Sequence, residues 1–382
     1  MGRTDIFERV RHWRWAVVIG GTAALAAVPV VAANWPVPVV VADVDELTVA
    51  VLESDLEPYV GLVDSRGGLR LPDLGRYDDE VAPFASQTRS RIWYDGPTLW
   101  RASELLIGGE RGTYREPDLL WTWDSGDRDV EQSPRQGDEP LRLPRVMDLA
   151  PPELGRRLLA EASRSGLQID SIAPRRIAGH IGAGLRFEPP TDSPTTIEAV
   201  ELWAQPTTGL VLRVDIYTSA GPPIFETAFV DLDNVAPAAD AVRFPADDID
   251  PGRIDRTPSD PIEVLSGVPF ARLPDRLGGL ARRNPSDQGV ATYGSALEQV
   301  TVVAAPSGSL GRRIARLPRS TRPWGGEAVL VGTSLVNAQL VTVGGLDIIV
   351  AGTVTVAELD RLVGALRAEL GVDSALGSGA GG

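Results

Sequence analysis

The chain has 382 residues and a formal net charge of −15, and 43% of its residues are apolar. This length favours two or three domains once the termini are set aside, and the apolar fraction allows a sizeable core. The acidic balance argues against nucleic-acid binding, because no broadly basic face could replace the counterions around phosphates. Cysteine is absent, which excludes disulfides, thiol nucleophiles, cysteine-based metal sites and the acylated cysteine of a lipoprotein.

The N-terminus has the pattern of a membrane anchor. Residues 1–14 contain four arginines, and the nineteen residues 15–33 carry no charge. As a helix they would span about 28 Å, just enough to cross a bilayer. The arginine-rich side stays in the cytoplasm, so we expect a single-pass membrane protein whose bulk is extracytoplasmic. The alternative is secretion after signal cleavage, because Val31-Ala32-Ala33 has the small-residue pattern of a signal peptidase site.

Residues 37–250 are predicted to form one sheet-rich domain. A short amphipathic helix is expected from Asp45 to Glu53, and the prolines at 151 and 152 favour the start of a second helix. Strands precede and follow the second helix. In one of them Leu210, Leu212, Val214 and Ile216 share a face, as in a half-buried antiparallel strand. A sheet of this length must curl or be covered, and the two helices are available for the cover.

Residues 88–132 contain four of the nine tryptophans and have the turns and short β-branched runs of an antiparallel ladder. The period of two places Leu119, Trp121 and Trp123 on one face of a strand, with Leu120 and Thr122 on the other. These aromatic side chains either fill an ordinary sheet core or line a concave apolar pocket.

Several segments between about 45 and 245 resemble the RseB/MucB-like (sigma-E regulatory protein) and LolA-like families of bacterial envelope proteins. The matching segments are Arg91–Pro97, Trp100-Arg101, Trp121–Asp124, Ile177–His180, Thr207–Val214 and Phe225–Phe229. The chain departs from the family at His180, where arginine is usual, and in its apparent membrane anchor. The resemblance implies a curved antiparallel half-barrel closed by helices, with an apolar concave face that accepts acyl chains. The candidate ligand-binding residues on that face are Trp93, Trp100, Leu119, Trp121, Trp123, Leu212, Val214, Phe225 and Phe229.

A linker by composition, residues 251–262, leads to a smaller domain at 263–370 and a flexible Gly/Ser/Ala tail at 371–382. The smaller domain is predicted to contain strands followed by a helix, which starts at the capping box Thr355–Glu358 and packs Leu362, Val363 and Leu366 on the sheet. This arrangement resembles the C-terminal domain of RseB-like proteins, which contacts a membrane-bound anti-sigma factor. Arg312, Arg313, Arg316 and Arg319 form a local basic run that either meets lipid headgroups or an acidic partner, or is plain solvated surface.

The predicted fold class is therefore α+β: a half-barrel sheet covered by helices, a smaller α+β domain and an N-terminal transmembrane helix. No catalytic motif, metal site or cofactor is expected, and His180 is interpreted as structural. The predicted function is non-enzymatic binding of lipid acyl chains or lipoprotein, which senses envelope state and regulates a sigma factor through an anti-sigma partner. The alternatives are a lipid or lipoprotein carrier of the LolA type and an envelope hydrolase.

Overall fold

The computed structural model of the chain describes residues 43–69, 85–126, 129–135, 145–219, 221–256, 272–283, 289–295, 297–308 and 317–377. The predicted membrane anchor at 15–33 and the arginines 312, 313 and 316 lie outside these residues. In the part of the chain that is described, no helix is both long enough and apolar enough to span a membrane.

The larger sheet has twelve strands in the order β12-β6-β5-β4-β3-β2-β1-β11-β10-β9-β8-β7. Its strands are β1 (Tyr59–Gly67), β2 (Gln87–Tyr94), β3 (Trp100–Leu106), β4 (Gly109–Arg115), β5 (Leu119–Asp124), β6 (Asp129–Pro134), β7 (Ile169–Ile177), β8 (His180–Phe187), β9 (Ala199–Ala204), β10 (Val211–Tyr217), β11 (Phe225–Asp233) and β12 (Ile254–Asp255). Neighbouring strands are antiparallel except β12, which pairs in parallel with β6. The start of the predicted linker at 251–262 therefore belongs to this sheet.

Two helices cover one face of the sheet, at the places where the sequence predicts them. Helix α1 (Val44–Leu52) is capped by Asp43, whose side chain accepts hydrogen bonds from two backbone N–H groups of the first turn. Helix α2 (Pro151–Arg164) begins with proline at its first position, where the missing N–H has no helical partner to lose. A Cβ at Gly155 would lie 2.8 Å from Val211 Cγ1, so glycine lets α2 approach β10 closely.

The sheet curls at its β7–β8 edge. His180 Nε2 on β8 lies 3.1 Å from the carbonyl oxygen of Leu232 on β11, although β9 and β10 lie between these strands in the hydrogen-bonded order. The Arg175 guanidinium on β7 likewise approaches Asp215 on β10 to 3.6 Å. A register shift between Val211 and Arg213 interrupts the expected alternation in β10. The prediction that Leu210, Leu212, Val214 and Ile216 share one face is therefore wrong at the shift.

The smaller domain has a six-stranded sheet with the order β15-β16-β20-β19-β18-β17, beside a short β13–β14 hairpin. Its strands are β13 (Arg276–Leu277), β14 (Leu280–Ala281), β15 (Val290–Ser295), β16 (Glu298–Pro306), β17 (Arg319–Thr321), β18 (Glu327–Gly332), β19 (Asn337–Val343) and β20 (Leu346–Gly352). Helix α3 (Val356–Gly377) buries Leu362, Val363 and Leu366 in the same apolar cluster as the sheet, as the sequence predicts.

The ends of α3 differ from the prediction. At its start the Glu358 N–H donates to Thr355 Oγ1 at 3.3 Å, but the Glu358 carboxylate pairs with Arg361, so only half of the capping box forms. At its other end the helix continues to Gly377, into the segment predicted as a flexible tail.

The two domains share buried contacts. Thr195, which precedes β9, forms an antiparallel bridge with Val354, and its Oγ1 lies 2.8 Å from the carbonyl oxygen of Leu297. Glu161 on α2 accepts two hydrogen bonds, at 2.7 and 2.6 Å, from the guanidinium of Arg283 in the smaller domain. Leu297 of the smaller domain also belongs to the apolar cluster beneath the helices of the larger one.

Candidate ligand-binding site

The candidate site is the apolar layer between the two helices and the larger sheet, which we call the seam. One part of the seam packs Leu47 and Val51 of α1 and Leu154 and Leu159 of α2 against strands β8 to β11. The other part extends the layer over β1 to β3 and is rich in aromatic side chains. Its large members on that face are Tyr59, Ile92, Tyr94, Trp100, Met147 and Phe229. The seam therefore offers apolar side chains in two clusters beneath two helices.

Two tyrosines occupy the aromatic part of the seam. The rings of Tyr59 and Tyr94 are stacked, with centroids 5.1 Å apart, and Phe229 meets Tyr59 edge-on at 5.5 Å. Such geometries align the positive ring edge with a negative ring face. Gly61 makes room for this group, because a Cβ there would lie 2.5 Å from a Phe229 ring carbon.

The two hydroxyl groups differ in their hydrogen bonding. The Tyr94 hydroxyl donates to the backbone carbonyl of Asp55 at 2.7 Å. The Tyr59 hydroxyl is buried and has no hydrogen-bond partner among the described residues. Burial raises the pKa of Tyr59 well above its ordinary value, and the nearby Tyr94 and Glu153 raise it further. Tyr59 thus stays protonated and presents an unused donor inside an apolar layer.

The tryptophan-rich strands form a second cluster on the opposite face of the sheet, which we call the outer cluster. Trp93, Arg101, Tyr114 and Trp121 are successive cross-strand partners on β2 to β5, so their side chains lie on one face. The Arg101 guanidinium lies 4.4 Å from the Trp93 ring centroid and 4.9 Å from that of Tyr114. Phe244 covers the cluster, with its ring stacked on Trp121 at 4.6 Å.

The structure does not bring the nine predicted ligand-binding residues together on one face. Trp100 and Phe229 lie in the aromatic part of the seam, and Val214 and Phe225 lie under the helices. Leu212 lies beside Trp203, because of the register shift in β10. Trp121 belongs to the outer cluster, with Leu119 and Trp123 packed against it and Trp93 beside Arg101. The predicted alternation of residues 119–123 is confirmed, since Leu120 belongs to the seam. Trp93, Trp121 and Trp123 lie on the face opposite to Leu120.

The remaining predicted sites can be placed briefly. Arg319 is exposed at the start of β17, at the edge of the smaller sheet. His180 has a ring nitrogen at the Leu232 carbonyl, as expected of a structural histidine. The described residues include no group of three or more His, Cys, Asp and Glu side chains that could hold a metal ion.

Sequence reasoning missed Tyr59 and Tyr94 as members of the site. A usable signal was present in Tyr59-Val60-Gly61, because a glycine inside a strand often marks a close approach of another group.

No protein-family model matches the chain, and no curated protein does. Among solved structures, the chain is similar to MucB in complex with periplasmic MucA, with 16% identity, 84% of this chain and 97% of that chain covered, and a TM-score of 0.46. The complex structure of Pseudomonas aeruginosa MucA/MucB gives 18% identity, 84% and 97% coverage and the same TM-score of 0.46. A LolA superfamily protein from Nitrosomonas europaea gives 11% identity, 54% and 99% coverage and a TM-score of 0.23. Structures described as MucB and as a LolA superfamily protein are thus among those to which the chain is similar.

Proposed function

We propose that the protein is a non-enzymatic, membrane-anchored extracytoplasmic binding protein that holds an acyl chain of a lipid or lipoprotein in the seam. The unpaired, buried hydroxyl of Tyr59 is the observation that carries this proposal. A buried donor without a partner costs free energy, and a ligand carbonyl that accepts its hydrogen bond would remove that cost. Lipids and lipoproteins combine apolar chains with such ester or amide carbonyls.

The rest of the seam suits the chain of such a ligand. Each methylene group that leaves water contributes about 0.8 kcal/mol. Entry requires α1 and α2 to shift away from the sheet of the half-barrel, and the cost of that shift offsets part of the gain. The Tyr59 ring is already held by Tyr94 and Phe229, so its hydroxyl is positioned before the ligand arrives.

The second part of the proposal concerns regulation. We infer that the smaller domain contacts an anti-sigma factor in the membrane, so that the protein senses envelope state, as the sequence resemblance implies. Helix α2 supports a link between the two activities. It covers the seam through Leu154 and Leu159, and it binds the smaller domain through the ion pair of Glu161 with Arg283. A shift of α2 on ligand entry would therefore strain that ion pair.

The first experiment uses a lipopeptide with a photoreactive diazirine on its acyl chain and the full chain reconstituted in phosphatidylcholine vesicles. Crosslinks are expected on β1, β2 and α2. Tyr59→Phe should weaken lipopeptide binding by about tenfold, since one neutral hydrogen bond contributes about 1–1.5 kcal/mol. Tyr217→Phe is the matched control. The Tyr217 hydroxyl lies outside the seam and donates a hydrogen bond of 3.0 Å to the Glu201 carboxylate. Crosslinks confined to the predicted anchor would contradict the proposal.

A second experiment separates the sensor from the carrier. Recovery of an anti-sigma factor by crosslinking through the smaller domain would support the sensor. Transfer of the labelled lipopeptide from one vesicle population to another, without any such partner, would instead support the LolA-type carrier.

A further inference from the structure

The β3–β4 hairpin exposes an apolar tip. Leu105 and Leu106 at the end of β3 are 43% and 40% exposed, and Ile107 in the turn is fully exposed. Isolated exposed apolar residues are normal on a protein surface, but three in succession form a patch. Gly108 completes the turn with φ +93°, a conformation that favours glycine.

The shape of the tip favours a lipid surface over a protein. Leu105 and Leu106 are consecutive strand residues, so their side chains point to opposite faces of the hairpin, and Ile107 projects from its end. A protein partner would need a pocket that surrounds such a wedge. A bilayer interface accepts it without a matching shape.

The base of the tip is polar and rigid, which would set the depth of insertion. Arg101 pairs with Glu110 at 2.7 Å, and Arg111 pairs with Asp124 at 3.2 Å. The Glu110 N–H also donates to Ser125 Oγ at 2.7 Å, which ties the hairpin to the neighbouring β5–β6 turn. Because these charges are paired, the described residues around the tip present no excess of positive charge to attract anionic lipids.

We propose that the tip, Leu105-Leu106-Ile107, inserts into the interface of the membrane that anchors the chain. The inference rests on the proposed function in one respect, the anchor at residues 15–33. The nine residues between this anchor and Asp43 span at most about 30 Å when extended, so the domain is held close to the bilayer. At the high effective concentration that such a tether produces, a wedge of three apolar side chains is enough for stable contact.

The test exploits the absence of cysteine from the chain. Ile107→Cys is labelled with an environment-sensitive nitrobenzoxadiazole dye in the full chain, which is reconstituted in phosphatidylcholine vesicles containing a lipid with a nitroxide near its headgroup. Val235→Cys is the matched control, because Val235 is also exposed and apolar but follows β11 at the opposite end of the sheet. The label at 107 should shift to the blue and lose most of its emission to the nitroxide, and the label at 235 should do neither.

The same quenching is expected in vesicles of phosphatidylcholine alone and in vesicles with added phosphatidylglycerol. Quenching that requires phosphatidylglycerol would overturn apolar insertion in favour of electrostatic attraction. If the chain is retained after an alkaline carbonate wash but the label at 107 is quenched by aqueous iodide as strongly as that at 235, the tip proposal alone fails. If the wash removes the chain from the vesicles, the anchor and the tip proposal fail together.

Discussion

Replacing Tyr59 by phenylalanine should stabilise the protein, although the loss of a tyrosine hydroxyl from a core usually does the opposite. The hydroxyl is buried without a partner in the described part of the chain, and a buried polar group in that state costs about 1–3 kcal/mol relative to a bonded one. Phenylalanine keeps the stacked ring and removes the unpaired donor. We therefore expect Tyr59→Phe to raise the free energy of unfolding by about 1 kcal/mol.

Tyr94→Phe is the control for this prediction. The Tyr94 ring is stacked on that of Tyr59 in the same cluster, but its hydroxyl donates to the Asp55 carbonyl at 2.7 Å. Removing that bond should lower the free energy of unfolding by about 1 kcal/mol. The two variants delete the same atom from neighbouring rings, and the expected effects have opposite signs.

Urea unfolding followed by circular dichroism measures both effects as shifts of the transition midpoint at an unchanged slope. Because both substitutions fall in one cluster, their comparison does not require the whole chain to unfold in a single step. Destabilisation by Tyr59→Phe as large as that by Tyr94→Phe would show that the Tyr59 hydroxyl is already bonded. The reasoning that assigns it to a ligand would then be refuted.

Three further predictions follow from single contacts. Gly209→Ala should lower the melting temperature and reduce the free energy of unfolding by at least about 1–2 kcal/mol. The φ of Gly209 is +69°, and the new Cβ would lie 2.0 Å from a backbone oxygen of α1. An unchanged melting temperature would contradict this prediction. Burial acts to raise the pKa of Glu161, but the hydrogen bonds and charges of Arg283 and Arg164 outweigh it and the pKa is lowered. The ion pair therefore stabilises the fold above the ordinary glutamate pKa of 4.5, and this contribution is lost as the pH falls through the lower pKa of the folded state. The urea midpoints of the wild type and Arg283→Gln should differ at pH 7 and converge in acid. A difference that stays constant with pH would contradict this prediction. Trp100→Phe should reduce the change of tryptophan fluorescence on lipopeptide binding more than Trp121→Phe does, because Trp100 lies in the seam and Trp121 in the outer cluster; the reverse result would place the ligand on the outer cluster.

The sequence predicts the elements of the larger domain better than it predicts its two faces. Proline and apolar spacing are local signals, so both covering helices are found within a residue or two. The period of two also separates Trp121 from Leu120 correctly. The period of two, however, does not determine which face of the sheet the helices pack against, because that depends on distant segments of the chain. Phe244, which covers Trp121, comes from more than a hundred residues later and carries no local signal.

Two other differences have similar causes. The register shift at Val211 depends on how β9 meets β10, and no glycine or proline marks it in the sequence. Ile254–Asp255 has the composition of a linker but pairs with β6, because two backbone-bonded residues need little apolar content to form an edge strand. Composition describes the average environment of a segment, so it does not reveal a strand of only two residues.

Tyr59 is a stronger pointer to a ligand than the indole N–H of Trp121, which also has no hydrogen-bond partner among the described residues. The Trp121 ring is stacked under Phe244, and the backbone N–H of Phe244 is itself fixed by Glu116 at 3.1 Å, so the chain closes that cluster. Tyr59 lies instead under the N-terminal part of α2, a helix of fourteen residues attached to the smaller domain by an ion pair. A strained or unsatisfied group becomes functional where its surroundings can move. Of the two positions, only the seam has a cover that can shift without unfolding the sheet.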